Sequence, residues 1–574
     1  MATVARTEVS EGPDRITDRR RMLYEDLQGL REERVRGHIY VRQSGEIVVK
    51  SFSQILIDAA TIGVALHERG LLKGERVGIL LREHQEFIAS FLGCTLAGLV
   101  PVPMAPPMLH QQIEQYANGI VKIMRAAEAN ALIASSVLIP AIHDRTAPFL
   151  PQVQFLHFEQ VSRARPVGNP EPADLSPEDI CFVQFTSGST GNPKGVVVSY
   201  GNLAANSFAI MREAIDIQPD DIGVSWLPMY HDMGLVGKLL APLAYATPMV
   251  YLPTSLFVRQ PSSWIEALSR YKGTISFAPN FAYALAAERL RPDPSQLDLS
   301  HVRLLGCGAE PINPLVLKRF AKVFEPFGLN SGAITPCYGM AESVLAITFS
   351  RMGRGIATLE IDRAAYEGHQ RVLPPSRTED AVELVSCGTP FSGHRIAIRD
   401  TDGNALPEDS VGEICVKGPS VSEGYWRSPE QTRLSFRDGW LHTGDLGFLH
   451  AGELYISGRL KDLLILNGRN YYPQEIEWTV EGVRGIRGGS AIAFSIPGRE
   501  TEKLIIIAKS TAKDRAFADT LKEQISKRIS EVHGLAVHDV VLLGSSVVPK
   551  TTSGKIQRSQ ARAHYLKGDY TTAP

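Results

Sequence analysis

No stretch of this sequence approaches the roughly 18 to 20 uninterrupted apolar residues of a membrane-spanning helix. The apolar segment 239–252 is broken by Pro242 and Pro248, so no membrane span is expected. Residues 1–21 are polar and charged and lack the apolar core of a secretory signal. Cysteine is scarce: six residues (Cys94, Cys181, Cys307, Cys337, Cys387, Cys415) are scattered beside apolar or Gly neighbours, with no Cys-x-x-Cys pair of zinc or redox spacing. Structural thiols in a reducing cytoplasm are the expectation, and no cysteine stands in a recognisable nucleophile context. A surplus of one charge is missing as well. Lys plus Arg number 60 against 62 Asp plus Glu, which removes the electrostatic footprint of a nucleic-acid binder. Neither a low-complexity tract nor a repeat of about 20 to 50 residues occurs.

What is present is ordinary globular composition, 44% hydrophobic and 21% charged over 574 residues. That length calls for a large unit plus a smaller one. From 459 onward eighteen Lys/Arg face twelve Asp/Glu; a basic C-terminal unit would suit an acidic partner. Helical patterns at 52–69 and 83–99 alternate with short apolar runs at 76–81 and 131–134. The rhythm continues at 221–227, 249–252 and 274–277, so a doubly wound, largely parallel α/β core is expected. After about Gly388 the texture changes to short alternating runs with turn signals (394–399, 402–403, 412–416, 453–456), as in an antiparallel, barrel-like subdomain. Beyond Gly458 the runs 475–481, 491–496 and 504–509 and a helix over 515–532 suggest a small α+β unit.

The most informative segment is 185–195, FTSGSTGNPKG, which follows the strand-like run 180–184. Gly188 and Gly191 permit close backbone approach. Thr186, Ser187, Ser189 and Thr190 supply hydroxyls, and Lys194 supplies charge, so the parts of a phosphate cradle are assembled. The spacing is not that of a P-loop: Pro193 precedes Lys194, and Gly195 follows it where Ser or Thr would stand. A plain Ser/Gly linker is the bland reading, but linkers rarely lie between two apolar runs.

This loop resembles the phosphate-binding signature of the acyl-adenylate-forming superfamily, and later segments resemble its other motifs in the same order. YGMAES (338–343) looks like the adenine-stacking aromatic, Tyr338, with Gly339, Met340 and Ala341, followed by the magnesium-associated Glu342. WLHTGD (440–445) looks like the ribose-binding motif ending in Asp445. GRLKD (458–462) is similar to the inter-domain hinge, with Arg459 near the nucleotide and Lys461 as pivot. PKTTSGKIQR (549–558) is similar to the loop carrying the catalytic Lys555, and Gly308-Ala309-Glu310-Pro311 resembles the segment lining the other side of adenine. The resemblance implies an N-terminal adenylating domain over 1–458, a hinge at 459–462 and a mobile C-terminal domain over 463–574. It implies ATP and Mg2+ as cofactors, with Glu342 as the metal-associated carboxylate. In such a reaction two anions approach one another and charge builds on the α-phosphate, so cations must converge there.

The segment 226–235, WLPMYHDMGL, holds His231 beside Asp232 without a Gly-x-Ser-x-Gly nucleophile turn. The resemblance makes it an acyl-pocket wall and gate, with His231 structural or gating in preference to a general base. Trp226, Met229, Met233, Phe277, Asn280 and Phe281 are the expected acyl-pocket residues. NGRNYYPQEIE (467–477) and the long interval between Glu342 and Gly388 resemble the fatty acyl-AMP ligase branch. The surplus, within 351–381, matches the place of that branch's insertion, thought to restrain the C-terminal domain. The activity implied is ATP-dependent formation of acyl-AMP from a medium- or long-chain fatty acid, then transfer to the phosphopantetheine thiol of an acyl carrier protein. An acyl-CoA ligase is the alternative within the family, and a catalytically silent acyl-binding or scaffold protein is the alternative outside it.

Overall fold

In the computed structural model the described residues are 9–12, 23–107, 113–163, 174–186, 193–289, 297–466, 469–498, 502–544, 548–551 and 555–570. The helix Phe52–His67 begins at Ser51, whose hydroxyl accepts from the Gln54 amide while the Gln54 side chain bonds the Ser51 amide, a closed capping box. Phe52, Ile55, Ala59, Ile62 and Leu66 form its buried stripe. It crosses the helix His84–Leu96 at close quarters, because a Cβ on Gly93 would stand 2.7 Å from the Ala59 carbonyl oxygen.

Two sheets form the core of the large unit. The nine-stranded sheet runs parallel through Ile334–Gly339, Leu304–Cys307, Ile275–Ala278, Gly223–Ser225, Met249–Tyr251 and Gly37–Val41. Antiparallel strands close its edges: Ile47–Ser51 on one side, Ala346–Phe349 and Thr389–Pro390 on the other. The inner strands Leu304–Cys307, Ile275–Ala278, Gly223–Ser225 and Met249–Tyr251 are buried throughout because both faces are covered. A four-stranded parallel sheet holds Val100–Pro103, Arg76–Leu80, Ala131–Ala134 and Gln154–His157, and the hairpin Ile180–Thr186 with Lys194–Ser199 stands apart as a two-stranded sheet. A six-stranded antiparallel sheet, built around Arg395–Arg399, Gly412–Lys417, Trp440–His450 and Glu453–Arg459, corresponds to the barrel-like texture expected after Gly388.

Beyond Leu460–Asp462, a three-stranded sheet of Ile492–Ile496, Lys503–Lys509 and Val537–Leu543 packs with the helices Pro473–Glu481, Arg515–His533 and Arg558–Lys567. Val480, Ile506, Leu521, Ile525 and Leu542 make a core of its own. The whole is a mixed α/β protein with a large N-terminal and a small C-terminal part. The segment 351–381 contains the strand Thr358–Asp362, paired with Ala381–Val385, and the helix Arg363–His369. That helix lies against the C-terminal part: Tyr366 stacks on Tyr472 at 4.7 Å, and Arg363 bonds Glu475 at 3.2 Å. Among the described residues no helix is long and apolar enough to cross a membrane.

Candidate active site

The carboxyl ends of the parallel strands, where ligands bind in open α/β sheets, meet the antiparallel unit and the C-terminal part. Pairing of Trp440–His450 with Glu453–Arg459 sets Asp445 opposite Arg459. Arg459 Nε donates to Asp445 Oδ1 at 3.0 Å, and the Tyr338 hydroxyl donates to Asp445 Oδ2 at 2.8 Å. Each carboxylate oxygen keeps a second lone pair, which is what a ribose hydroxyl requires. The Asp445 charge holds the Arg459 guanidinium above its ordinary pKa against the cost of burial.

Glu342 follows in a turn whose backbone is strained. Val344 has φ +61° and ψ −59°, and the Leu345 amide donates back to the Ser343 carbonyl at 2.6 Å, a γ-turn rarely adopted by a β-branched residue. The turn fits because Gly339 lacks a Cβ, which would meet the Leu345 oxygen at 1.8 Å. The buried Asn206 side chain clamps the far end, accepting from the Ala346 amide at 3.1 Å and donating to its carbonyl at 2.8 Å. Such strain persists only where surroundings over-determine it, as at a ligand site. Burial pushes the Glu342 carboxyl up, while the Tyr425 hydroxyl, donating to Oε1 at 2.9 Å, pulls it down and the nearby Asp232 raises it further.

Of the glycine-rich loop, Thr186 and Lys194 are paired across the hairpin. Ser187, Gly188, Ser189, Thr190 and Gly191 lie outside the described residues. Lys194 Nζ stands 5.0 Å from the centre of the Tyr425 ring, and the hairpin is fixed to that segment by Trp426 N–H donating to Gly195 O at 2.7 Å. Burial, then the charge of Arg459, push the Lys461 ammonium down, and Lys194 adds to the effect. Arg459, Lys461 and Lys194 thus share one region, a cationic setting suited to a polyphosphate.

A cavity opens beside these groups. Tyr338, Gly339, Gly308 and Ala309 line it with Lys555 from the C-terminal part; on the apolar side stand Met233, Phe277, Leu345 and Phe349. Ala309 takes a left-handed conformation, φ +70°, to turn the chain there. Behind it Glu310 is raised to about 7 by burial, although the Phe281 amide donates to it at 2.6 Å and Lys550 and Lys555 stand near enough to lower it. Pro311, by contrast, is exposed, while Met340 is half-buried and Ala341 buried beside Glu342.

Trp226, Met229, Asn280 and Phe281 are not part of this lining. Trp226 stacks on Phe257 at 3.7 Å and meets Phe281 edge-on at 6.3 Å, Met229 is buried in the same core, and Asn280 starts a helix. His231 precedes the helix Asp232–Leu235, with its ring 4.8 Å from that of Tyr230. Sequence reasoning missed Asp232, Ile210, Gly237 and Cys337, which do line the cavity. Ile210 and Gly237 enter through π-helical turns, Ala209–Ala214 and Val236–Leu240. Each such turn rotates the helix face away from the 3.6-residue period. Asp232 was legible beside His231, but only as a neighbour.

Two family models match the chain: AMP-binding enzyme over residues 32–426, and the Disco-interacting protein 2-like AMP domain over 461–573. A protein of Caulobacter vibrioides, provisionally named an acyl-CoA synthetase, is 37% identical over 92% of each chain. The medium-chain-fatty-acid acyl-carrier-protein ligase JamA of Moorena producens is 33% identical over 92% of each. Among solved structures, one from a study of fatty acyl-adenylate ligases from E. coli and L. pneumophila superposes with a TM-score of 0.90 at 33% identity, covering 96% of this chain and 98% of that one.

Proposed function

The chain belongs to the AMP-binding enzyme family, and from that premise we propose that it is a fatty acyl-AMP ligase whose second substrate is an acyl carrier protein. A carboxylate oxygen of the fatty acid attacks the α-phosphorus of ATP, the bond to the β-phosphate breaks, and pyrophosphate leaves. The carrier's phosphopantetheine thiol then gives up its proton and attacks the acyl carbon, so that a C–S bond forms, the C–O bond of the mixed anhydride breaks, and AMP departs. The observation that carries this reading is the presence of Lys555 in the same cavity wall as Tyr338, Gly308 and Ala309. A cation is there held where charge develops between carboxylate and α-phosphate. Tyr338 offers adenine a flat face, Asp445 receives the ribose, and Arg459, Lys461 and Lys194 face the phosphates.

Glu342 fits a magnesium site: a half-buried carboxylate, raised by desolvation and neighboured by Asp232, suits an ion that takes few protein carboxylates and many phosphate oxygens. When bound, Mg2+ would offset phosphate charge. The chain's domains divide at a hinge over 459–462, and the segment 351–381 holds the C-terminal domain through Arg363 and Tyr366. The cytoplasm, where ATP and carrier proteins occur, is the proposed location. ATP–pyrophosphate exchange dependent on a fatty acid tests the first step, and its absence with every acid tried would remove the assignment. The name of the Caulobacter relative favours a second reading, transfer to coenzyme A. Acyl transfer compared between coenzyme A and a phosphopantetheinylated carrier protein separates the two.

A further inference from the structure

Lys238 is the least expected side chain near this cavity. It lies on the π-helical turn Val236–Leu240, flanked by Gly237, which lines the cavity, and by Leu239 and Leu240, which are fully buried. Only 2% of Lys238 is exposed. Its Nζ stands 4.0 Å from the centre of the Phe277 ring, and among the described residues it meets no carboxylate and no hydrogen-bond acceptor. Its charge is felt by Cys337. Phe277, Cys337 and the neighbouring Gly237 line the cavity while Lys238 does not, so the ammonium stands directly behind the apolar wall, against the Phe277 ring and away from the phosphate-facing cations.

A buried lysine is costly unless paired, and burial pushes this one down to about 7. A ring face attracts a cation but offers no acceptor for its three donors. A hydrocarbon tail alone would make no use of such a group; leucine or methionine would fill the same wall at lower cost.

We infer that Lys238 selects the acid: its ammonium hydrogen-bonds an oxygen carried on the acyl chain, so that the preferred substrate bears a hydroxyl, keto or second carboxylate group instead of an unbroken hydrocarbon tail. This rests on the adenylating role proposed above and adds the chemical class of its substrate. Gly237 supports it by keeping the wall open, since a Cβ there would stand 2.9 Å from Leu345 Cδ2. Sites built to bond a substrate oxygen discriminate strongly against analogues that lack it, because their own polar group is left unpaired.

The test is ATP–pyrophosphate exchange on the full chain with matched acids of equal length: each n-alkanoic acid against its hydroxy, keto and ω-carboxy analogues with the oxygen placed at successive positions. The expected result is a kcat/KM preference of about tenfold or more for an oxygenated member at a defined position. In Lys238→Met, an apolar replacement of similar length, that ratio should collapse towards one. Preference of the wild-type enzyme for the plain acid in every pair overturns the inference even if the variant does not fold, and so does an unchanged ratio in a folded Lys238→Met. Exchange with no acid at all would instead strike the adenylating role.

Discussion

Replacing Arg558 by Met should loosen the C-terminal part and, with it, the loop that presents Lys555. Arg558 Nε and Nη2 bond the two oxygens of Glu477 at 2.8 and 2.6 Å, and Nη1 bonds Asp462 at 2.9 Å. The fork therefore ties the segment that follows Lys555 to the helix Pro473–Glu481 and to the segment Leu460–Asp462. Burial opposes its charge, but Glu477 outweighs that and holds its pKa above the ordinary value. Side-chain exposure is 15% for Arg558 and 4% for Glu477. Without Arg558, Glu477 keeps among the described residues the Ala493 amide at 3.0 Å, and remains a buried carboxylate short of a counter-charge. Breaking one side of such a pair costs about 3–5 kcal/mol. A unit of about 110 residues is stable by only about 5–15 kcal/mol, so the loss is a large fraction of the whole. Hydrogen exchange of the strand Lys503–Lys509 reads it directly, with protection falling about 10²–10⁴-fold in R558M. R558K, which retains a charge without the planar fork, should fall between. Pyrophosphate exchange should drop in the same order. Wild-type protection of that strand in R558M would refute the reasoning.

Lys555→Ala should lower adenylation by about a hundredfold or more while leaving the fold intact, and wild-type pyrophosphate exchange in that variant would remove Lys555 from the mechanism. Lys238, which burial pushes down to about 7 from the ordinary lysine value of 10.5, burdens the native state little above pH 10.5 and fully once pH falls through about 7. K238M should therefore gain more stability over wild type at pH 6 than at pH 9, by about 2–3 kcal/mol in denaturant unfolding; equal gains at both pH values would contradict a buried, titrating ammonium. Substituting both Arg363 and Tyr366 by Ala removes the contacts of the helix Arg363–His369 with Glu475 and Tyr472. Acyl transfer to coenzyme A should rise with adenylation spared, since a few kcal/mol of contact is enough to hold a domain equilibrium on one side. A double variant that still adenylates but transfers no faster would relieve that segment of its restraining role.

Much of the fold was legible because it depends on short-range pattern. The run 52–69 carries a helical stripe and a capping box, and it is the helix Phe52–His67. The run 131–134 is uniformly apolar and 274–277 carries Ile275 and Phe277, and they fall in strands covered on both faces, Ala131–Ala134 and Ile275–Ala278. The antiparallel edges of the nine-stranded sheet were not legible, since strand direction depends on which distant segment pairs with which.

The same division holds at the site. Tyr338, Asp445, Arg459 and Lys555 were nameable from the sequence by itself, because each is marked by its immediate neighbours and the motifs follow one another in a fixed order along the chain. Only the tertiary structure decided the walls of the cavity. Two π-helical turns, invisible to a 3.6-residue period, bring Ile210 and Gly237 to its surface, and strands far apart in sequence bring Cys337 and Phe349 to face them. Lys238 shows the limit most plainly. In the string of letters it is a lone lysine in the apolar run 233–245; whether an ammonium meets water or the face of Phe277 is settled by what packs over it, and that is a property of the assembled core alone.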